Sequence, residues 1–217
     1  MQFSEEIDFR DGLVYDPYIK GFDSNFWKGD TANLTFDSVK NIIKIGDTGL
    51  VGSASSYSQY LFGDFEFQIN KDTLSPDSND SEKIWGLLNP GDTQRRGAIF
   101  FNAAYDTNTD TLATRQLWAT QYDEQGVRQR KRIPWDTSWD TTFPRYRILW
   151  ERDHIQFLIN DTVYATLGDK PDTSNSRFQT NNSIPLALRL SNRSLDTSDT
   201  NPLGLRYLNI RHARKVI

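Results

Sequence analysis

The sequence predicts an all-β chain folded as one sandwich domain, and three observations carry that expectation. Short runs rich in β-branched and aromatic residues recur along the whole chain, separated by clusters of Asp, Asn, Ser, Thr, Gly and Pro. No long window holds a helical period, although residues 34–45 have room for a turn of helix. The core must be built largely from rings: only 36% of the 217 residues are hydrophobic, yet there are six Trp, nine Tyr and thirteen Phe, each able to bury a large area. No shift of composition and no low-complexity linker divides the chain, so residues 1–217 read as a single domain.

The strands follow in order. Residues 33–36 and 40–46 come first, then 59–70, where Phe65 and Phe67 alternate with Asp64 and Glu66. Residues 83–88, 97–105, 114–123 and 126–133 make a run of four more. The clearest local signal lies at 145–167. There Tyr146, Ile148 and Trp150 alternate with Arg145, Arg147 and Glu151, and Arg152-Asp153 makes a turn. Ile155, Phe157 and Ile159 then alternate with His154, Gln156 and Asn160, before a second turn at Asn160-Asp161 leads into Val163, Ala165 and Leu167. This is a three-stranded meander with one apolar face. Strands 183–191 and 204–212 close the domain, and the polar stretches 71–82, 106–113, 169–182 and 192–201 read as long loops at the sandwich ends.

Several classes of function are excluded or disfavoured by composition. A balance of 25 basic against 29 acidic residues gives a net charge of −4, too mild to dictate a nucleic-acid partner, and none is expected. Nothing approaches the ~18 consecutive apolar residues of a membrane span. The opening MQFSEEIDFRDG is acidic and lacks the apolar core of a signal peptide. The absence of Cys removes disulfides, thiolate zinc sites and a Cys nucleophile, and leaves the compartment open. Only His154 and His212 offer imidazole chemistry, and no G-x-S-x-G nucleophile motif is present.

Four segments, in order, resemble one family. The 145–167 meander is similar to the W-x-x-D-x-I-x-F-x-I-D/N-G hairpin of concanavalin A-like jelly rolls, above all the family 16 glucanases and their non-catalytic relatives. Tyr60-Leu-Phe-Gly-Asp-Phe-Glu-Phe-Gln-Ile69 resembles their yG-x-F-E-x-x-I strand, following a Trp27-to-Ile45 segment. Ser183-Ile-Pro-Leu-Ala-Leu-Arg-Leu190 resembles M-P-L-x-L-x-L-N, and Pro202 to Arg211 resembles the closing P…m-x-V-D-Y-V-R-V strand. The resemblance spans about residues 25–212 and implies a bent sandwich of two antiparallel sheets, the concave one carrying a glycan-binding groove. Strands 97–105, 114–123 and 183–191 then belong to the concave sheet, and the Trp150 meander to the other.

In the hydrolases of this family the groove holds an E-x-D-x-E or E-x-D-x-x-E strand. The corresponding strand here is Gly97 to Tyr105, which has no carboxylate. Retaining hydrolysis uses two carboxyl groups about 5–5.5 Å apart, and Ala98, Phe100 and Asn102 supply neither. The catalytic set is therefore read as empty. Asp64 and Glu66 share a strand face and are the main replacement candidates; the alternation around them predicts a solvated face instead. Glu151 and Asp153 flank a hairpin turn, with His154 beside them as an acid–base partner or a plain strand-end residue. Asp106-Thr-Asn108-Thr-Asp110 begins like a calcium loop but has Thr111 where the loop needs Gly and Leu117 where it needs Glu. No cofactor is expected beyond calcium at that position.

Binding has more support than chemistry. Thr114, Gln116, Trp118, Thr120 and Tyr122 share one strand face, and rings among amides and hydroxyls suit a sugar: the rings stack on its apolar side and the polar groups read its hydroxyls. The plain alternative is that Trp118 is core. Trp85, Asn102 and Arg189 complete the expected groove. Trp135 and Trp139 read as a hydrophobic plug over the sandwich end, with a sugar clamp as the alternative. The run Arg128-Gln-Arg-Lys-Arg132 reads as the solvated face of an edge hairpin, or as a grip for an acidic polysaccharide or phosphate.

Three readings stay open. The first is a non-catalytic, lectin-like glycan-binding or adhesion domain. The second is a structural virion- or cell-surface protein using the sandwich as a scaffold, as a homo-oligomer or in a larger surface assembly. The third is a glycan-cleaving enzyme with a displaced carboxylate pair. The expected partner is carbohydrate and the expected location is extracellular or on a virion surface.

Overall fold

The computed structural model describes residues 7–9, 27–29, 34–37, 39, 42–46, 52–69, 82–89, 91–104, 116–136, 139, 143–151, 154–168, 184–193 and 203–216. They form fourteen strands: β1 (Ile7–Phe9), β2 (Trp27–Gly29), β3 (Leu34–Asp37), β4 (Ile42–Ile45), β5 (Gly52–Ile69), β6 (Glu82–Leu88), β7 (Ile99–Ala104), β8 (Leu117–Tyr122), β9 (Arg128–Ile133), β10 (Arg145–Trp150), β11 (Ile155–Ile159), β12 (Thr162–Leu167), β13 (Leu186–Arg193) and β14 (Leu203–Val216). Every pairing between them is antiparallel.

The layering turns on β5, an 18-residue strand that serves two sheets. Its first half pairs with β13 from Gly52 to Tyr60. Its second half pairs with β10 from Gly63 to Gln68 and with β14 on the opposite edge. The first sheet thus runs β5-β13-β6-β7-β8-β9, and the second gathers β12, β11, β10, β5, β14, β4 and β3. Gly63 stands at the changeover. It has a φ of 151°, and a Cβ there would lie 2.8 Å from both the Ala213 side chain and the Phe65 ring, so a side chain would block the crossing of β5 and β14.

Alternation along each strand sends one side inward, and the two inner faces meet through rings. Tyr146 of the second sheet packs edge-on against Trp85 at 5.0 Å and Phe101 at 5.2 Å, both from the first sheet. Phe101 also meets Phe157 at 5.0 Å. Strands β7, β8 and β13 share one sheet and the Trp150 meander lies in the other, as the resemblance implies.

Three differences from the sequence expectation have simple causes. Residues 34–45 form a β3–β4 hairpin, with Phe36 opposite Ile43, and no turn of helix. The Asp37 carboxylate accepts the Val39 N–H at 3.1 Å, closing the bend with an Asx turn. The strand expected at 59–70 begins instead at Gly52, because Ala54, Ser55 and Ser56 are small enough to be buried without an apolar signature. Lastly, β14 runs on to Val216, held by β5.

Candidate functional site

The first sheet turns one face to the core and leaves the other open. Register fixes which side chains share the open face. One row crosses it as Ser55, Arg189, Gly86, Phe100, Thr120 and Arg130. The next crosses as Ser53, Ser191, Ile84, Asn102, Trp118 and Arg132. Gln116 and Tyr122 lie in phase with Trp118 on the same face, with Arg128 opposite Tyr122. Five expected groove residues, Gln116, Trp118, Tyr122, Asn102 and Arg189, are therefore brought together.

Trp85 is not with them. It is fully buried on the opposite side of β6, stacked at 6.0 Å on Phe101 in the core. Gly86 takes the open-face position beside it. A Cβ on Gly86 would stand 2.5 Å from Phe100 Cα, so the close approach of β6 to β7 needs glycine here.

Trp118 is half-buried and not sealed between the sheets. The Arg130 guanidinium lies 4.1 Å from its ring centroid, a cation–π contact that covers one face of the indole. Asn102 is 6% exposed, and both ends of its amide are engaged. Its Oδ1 accepts from the Thr120 hydroxyl at 2.7 Å, and its Nδ2 donates to Glu82 at 3.4 Å. Glu82 in turn receives both Arg95 nitrogens, at 3.0 and 2.6 Å. That contact, ahead of any other cause, holds the Arg95 guanidinium above its ordinary pKa. Arg95 also lies 5.6 Å from the Phe100 ring centroid, folding the 91–97 turn over a small cluster of Ile84, Ala98 and Phe100. Sequence reasoning missed Glu82 and Arg95. Glu82 was findable, since it opens β6 in phase with Ile84 and Gly86.

Residues 105–205 match the family model described as glycosyl hydrolases family 16. Among solved structures, the Crh5 transglycosylase without ligand superposes with a TM-score of 0.60 at 14% identity, covering 95% of this chain and 86% of that one. A family 16 endo-glucanase from Bacteroides ovatus, in complex with G4G3G-2F-DNP, gives 0.61 at 11% identity over 91% of this chain and 100% of its own. A protein of Mycobacterium tuberculosis described as an immunostimulatory antigen and pseudo beta-1,3-glucanase gives 0.58 at 14% identity over 98% of both chains. The fold is the family 16 jelly roll. No curated protein matches the sequence.

On this family 16 jelly roll, β7 presents Phe100 and Asn102 to the open face, with Ala98 in phase just before the strand. The replacement carboxylates lie elsewhere. Asp64 and Glu66 project from the face of the second sheet opposite the core, and they are buried, not solvated, at 4% and 5% exposure. Arg147 holds Asp64 through two contacts of 2.7 Å. Arg211 reaches Asp64 at 3.0 Å and Glu66 at 2.9 Å. The flanking strands β10 and β14 supply these cations, which is why two carboxylates on a face that alternates like a solvated one are buried. His154 Nε2 sits 3.4 Å from Glu151 at the meander turn, also on the second sheet.

Trp139 is buried and meets Trp135 at 5.6 Å and Tyr164 at 5.5 Å, which makes the pair a plug on the core. The basic run does lie on the last strand of the sheet order, β9, but its alternation turns Arg128, Arg130 and Arg132 onto the open face. Asp106, Asn108, Asp110 and Thr114 lie outside the described residues. Among the described residues no group of acidic or His side chains is placed to hold a metal, and no helix is long and apolar enough to cross a membrane.

Proposed function

We propose that this protein binds glycan on the open face of its first sheet and leaves the glycan intact. One observation carries the reading. Where paired carboxyl groups about 5–5.5 Å apart would be needed for retaining hydrolysis, β7 offers Phe100 and Asn102, and the neighbouring Glu82 is engaged by both Arg95 nitrogens. A carboxylate with both oxygens engaged by a guanidinium has its lone pairs committed and is a poor nucleophile. What the face does offer is recognition: the rings of Trp118 and Tyr122, in phase with Gln116 and Thr120, match the alternation of apolar and hydroxyl surface on a sugar. Carbohydrate as the ligand class is supported by the neighbour that holds G4G3G-2F-DNP, and a non-cleaving member of the fold by the one described as a pseudo beta-1,3-glucanase.

In this reading Trp118 is the main anchor. A sugar stacks on the indole face left by Arg130, or displaces the guanidinium to reach the covered one. Truncating a partly desolvated aromatic anchor costs ~2 kcal/mol or more, about thirtyfold in affinity. A glycan array probed with the wild-type protein and Trp118→Ala tests this, with a reducing-end assay on every glycan retained. The expected result is retention by wild type, loss in the variant at an unchanged melting temperature, and no new reducing ends. Reducing ends that disappear in Glu82→Gln would establish the enzyme reading instead. Retention of no glycan at all would leave the scaffold reading.

A further inference from the structure

Beside Phe100 the open face dips into a cleft of ≈ 360 Å³, lined by Ile84 and Leu88 of β6, Arg189 and Ser191 of β13, and the turn that follows β6. Its floor is apolar and its wall carries two half-buried guanidiniums, those of Arg95 and Arg189. Arg189 stands directly opposite Gly86, so no side chain from β6 fills the space beside it. Its one hydrogen bond among the described residues is to the Ser55 hydroxyl, at 2.7 Å from Nη1. That bond is to a neutral group, and no other described residue takes the remaining N–H donors of the fork. Burial alone pulls the Arg189 guanidinium below its ordinary pKa.

The other charges around the cleft are matched internally. Arg95 is held by Glu82, at 2.6 Å. Asp92 accepts from Arg96 at 2.8 Å and from the Gln94 N–H at 2.9 Å, so its charge is spent on its own turn. Among the described residues Arg189 is therefore the cleft's one cation without a carboxylate partner, partly desolvated, within a molecule whose net charge is −4. A partly desolvated guanidinium gains from a ligand that brings it a counter-charge, and the planar fork suits a two-oxygen anion.

We infer that the cleft beside Arg189 selects glycans carrying an anionic oxygen group, a uronate carboxylate or a sulfate ester, the ring lying on Ile84 and Leu88 while Arg189 and Ser191 bind the anion. This rests on the glycan-binding reading of the same face and adds the class of sugar. The Arg128, Arg130 and Arg132 row on β9 adds a positive edge across the face that attracts a polyanion at longer range.

The test compares four probes by calorimetric titration at physiological salt: oligogalacturonate, the same oligomer fully methyl-esterified, a sulfated dextran oligomer and a neutral β-glucan oligomer. Oligogalacturonate or sulfated dextran should bind at least tenfold more tightly than the neutral oligomer. If carboxylate is the source, methyl esterification removes that advantage; if sulfate is the source, the dextran sulfate alone shows it. Arg189→Gln should abolish the preference at an unchanged melting temperature, whereas Arg128→Gln should cost less than threefold. Equal binding of neutral and anionic oligomers by the wild type would overturn the inference while leaving glycan binding in place. A preference that survives in Arg189→Gln would overturn it too, and binding of none of the four would count against both.

Discussion

Tyr146 illustrates how single residues set the stability of this core. Its ring is clamped between Trp85 and Phe101, yet its hydroxyl is buried with no hydrogen-bond partner among the described residues. Tyr146→Phe keeps the ring and removes the orphan group, so it should stabilise the protein by about 1 kcal/mol in chemical denaturation. Burial also holds the Tyr146 hydroxyl well above its ordinary pKa and raises that of Tyr60 to about 12. The sign follows directly. An unfolded phenol ionises near about 10, so the neutral buried form contributes fully below that pH, and the contribution drains away as pH rises to about 12. Melting temperature should fall across that window, and less steeply in Tyr60→Phe. On the other side of the second sheet, Asp64→Asn takes the two-point carboxylate from Arg147, leaving it only Asp161 at 3.8 Å, and should cost about 2 kcal/mol, a buried-pair loss moderated by the partial exposure of both arginines. Glycan affinity should not change, because the proposed binding face lies on the other sheet.

At the scale of elements, β6 shows both what alternation reveals and where it fails. The phase of β8 and β13 was legible because each alternates, which set Trp118 and Arg189. Asn102 of β7 was set by the family resemblance, since Ile99-Phe-Phe101 is apolar on both faces. In Lys83-Ile-Trp-Gly-Leu-Leu88 both faces are apolar, so the phase is ambiguous. The second apolar face exists because the 91–97 turn covers Ile84, Ala98 and Phe100. Trp85 consequently fell on the wrong side in the sequence reading. The environment of Asp64 and Glu66 was equally hidden, since Arg147 and Arg211 come from strands far away in sequence. Two substitutions separate the faces. Trp85→Ala should cost about 3–5 kcal/mol as a core deletion, whereas Trp118→Ala should barely move the melting temperature. Gly86→Ala should destabilise by about 1–3 kcal/mol, since its Cβ would meet the Phe100 backbone rather than a side chain that can move.

For the whole molecule, the proposed function divides stability and recognition between the two sheets. The second sheet neutralises its outer charges within the fold, through Arg147 and Arg211. The first leaves rings, hydroxyls and the Arg189 cleft on its open side. The all-β fold followed from strand alternation, and which strands share a sheet followed from the resemblance carried by four short motifs. The chemistry of the open face did not, because it depends on register between strands and on the turn that folds over β6. The central claim is binding without cleavage. It is tested most directly by mass spectrometry of an oligosaccharide that the protein demonstrably binds, recovered after prolonged incubation with stoichiometric protein. The account predicts that the full-length oligosaccharide is recovered unchanged. Shorter fragments or re-joined longer chains, absent when Glu82→Gln replaces the wild type, would contradict it.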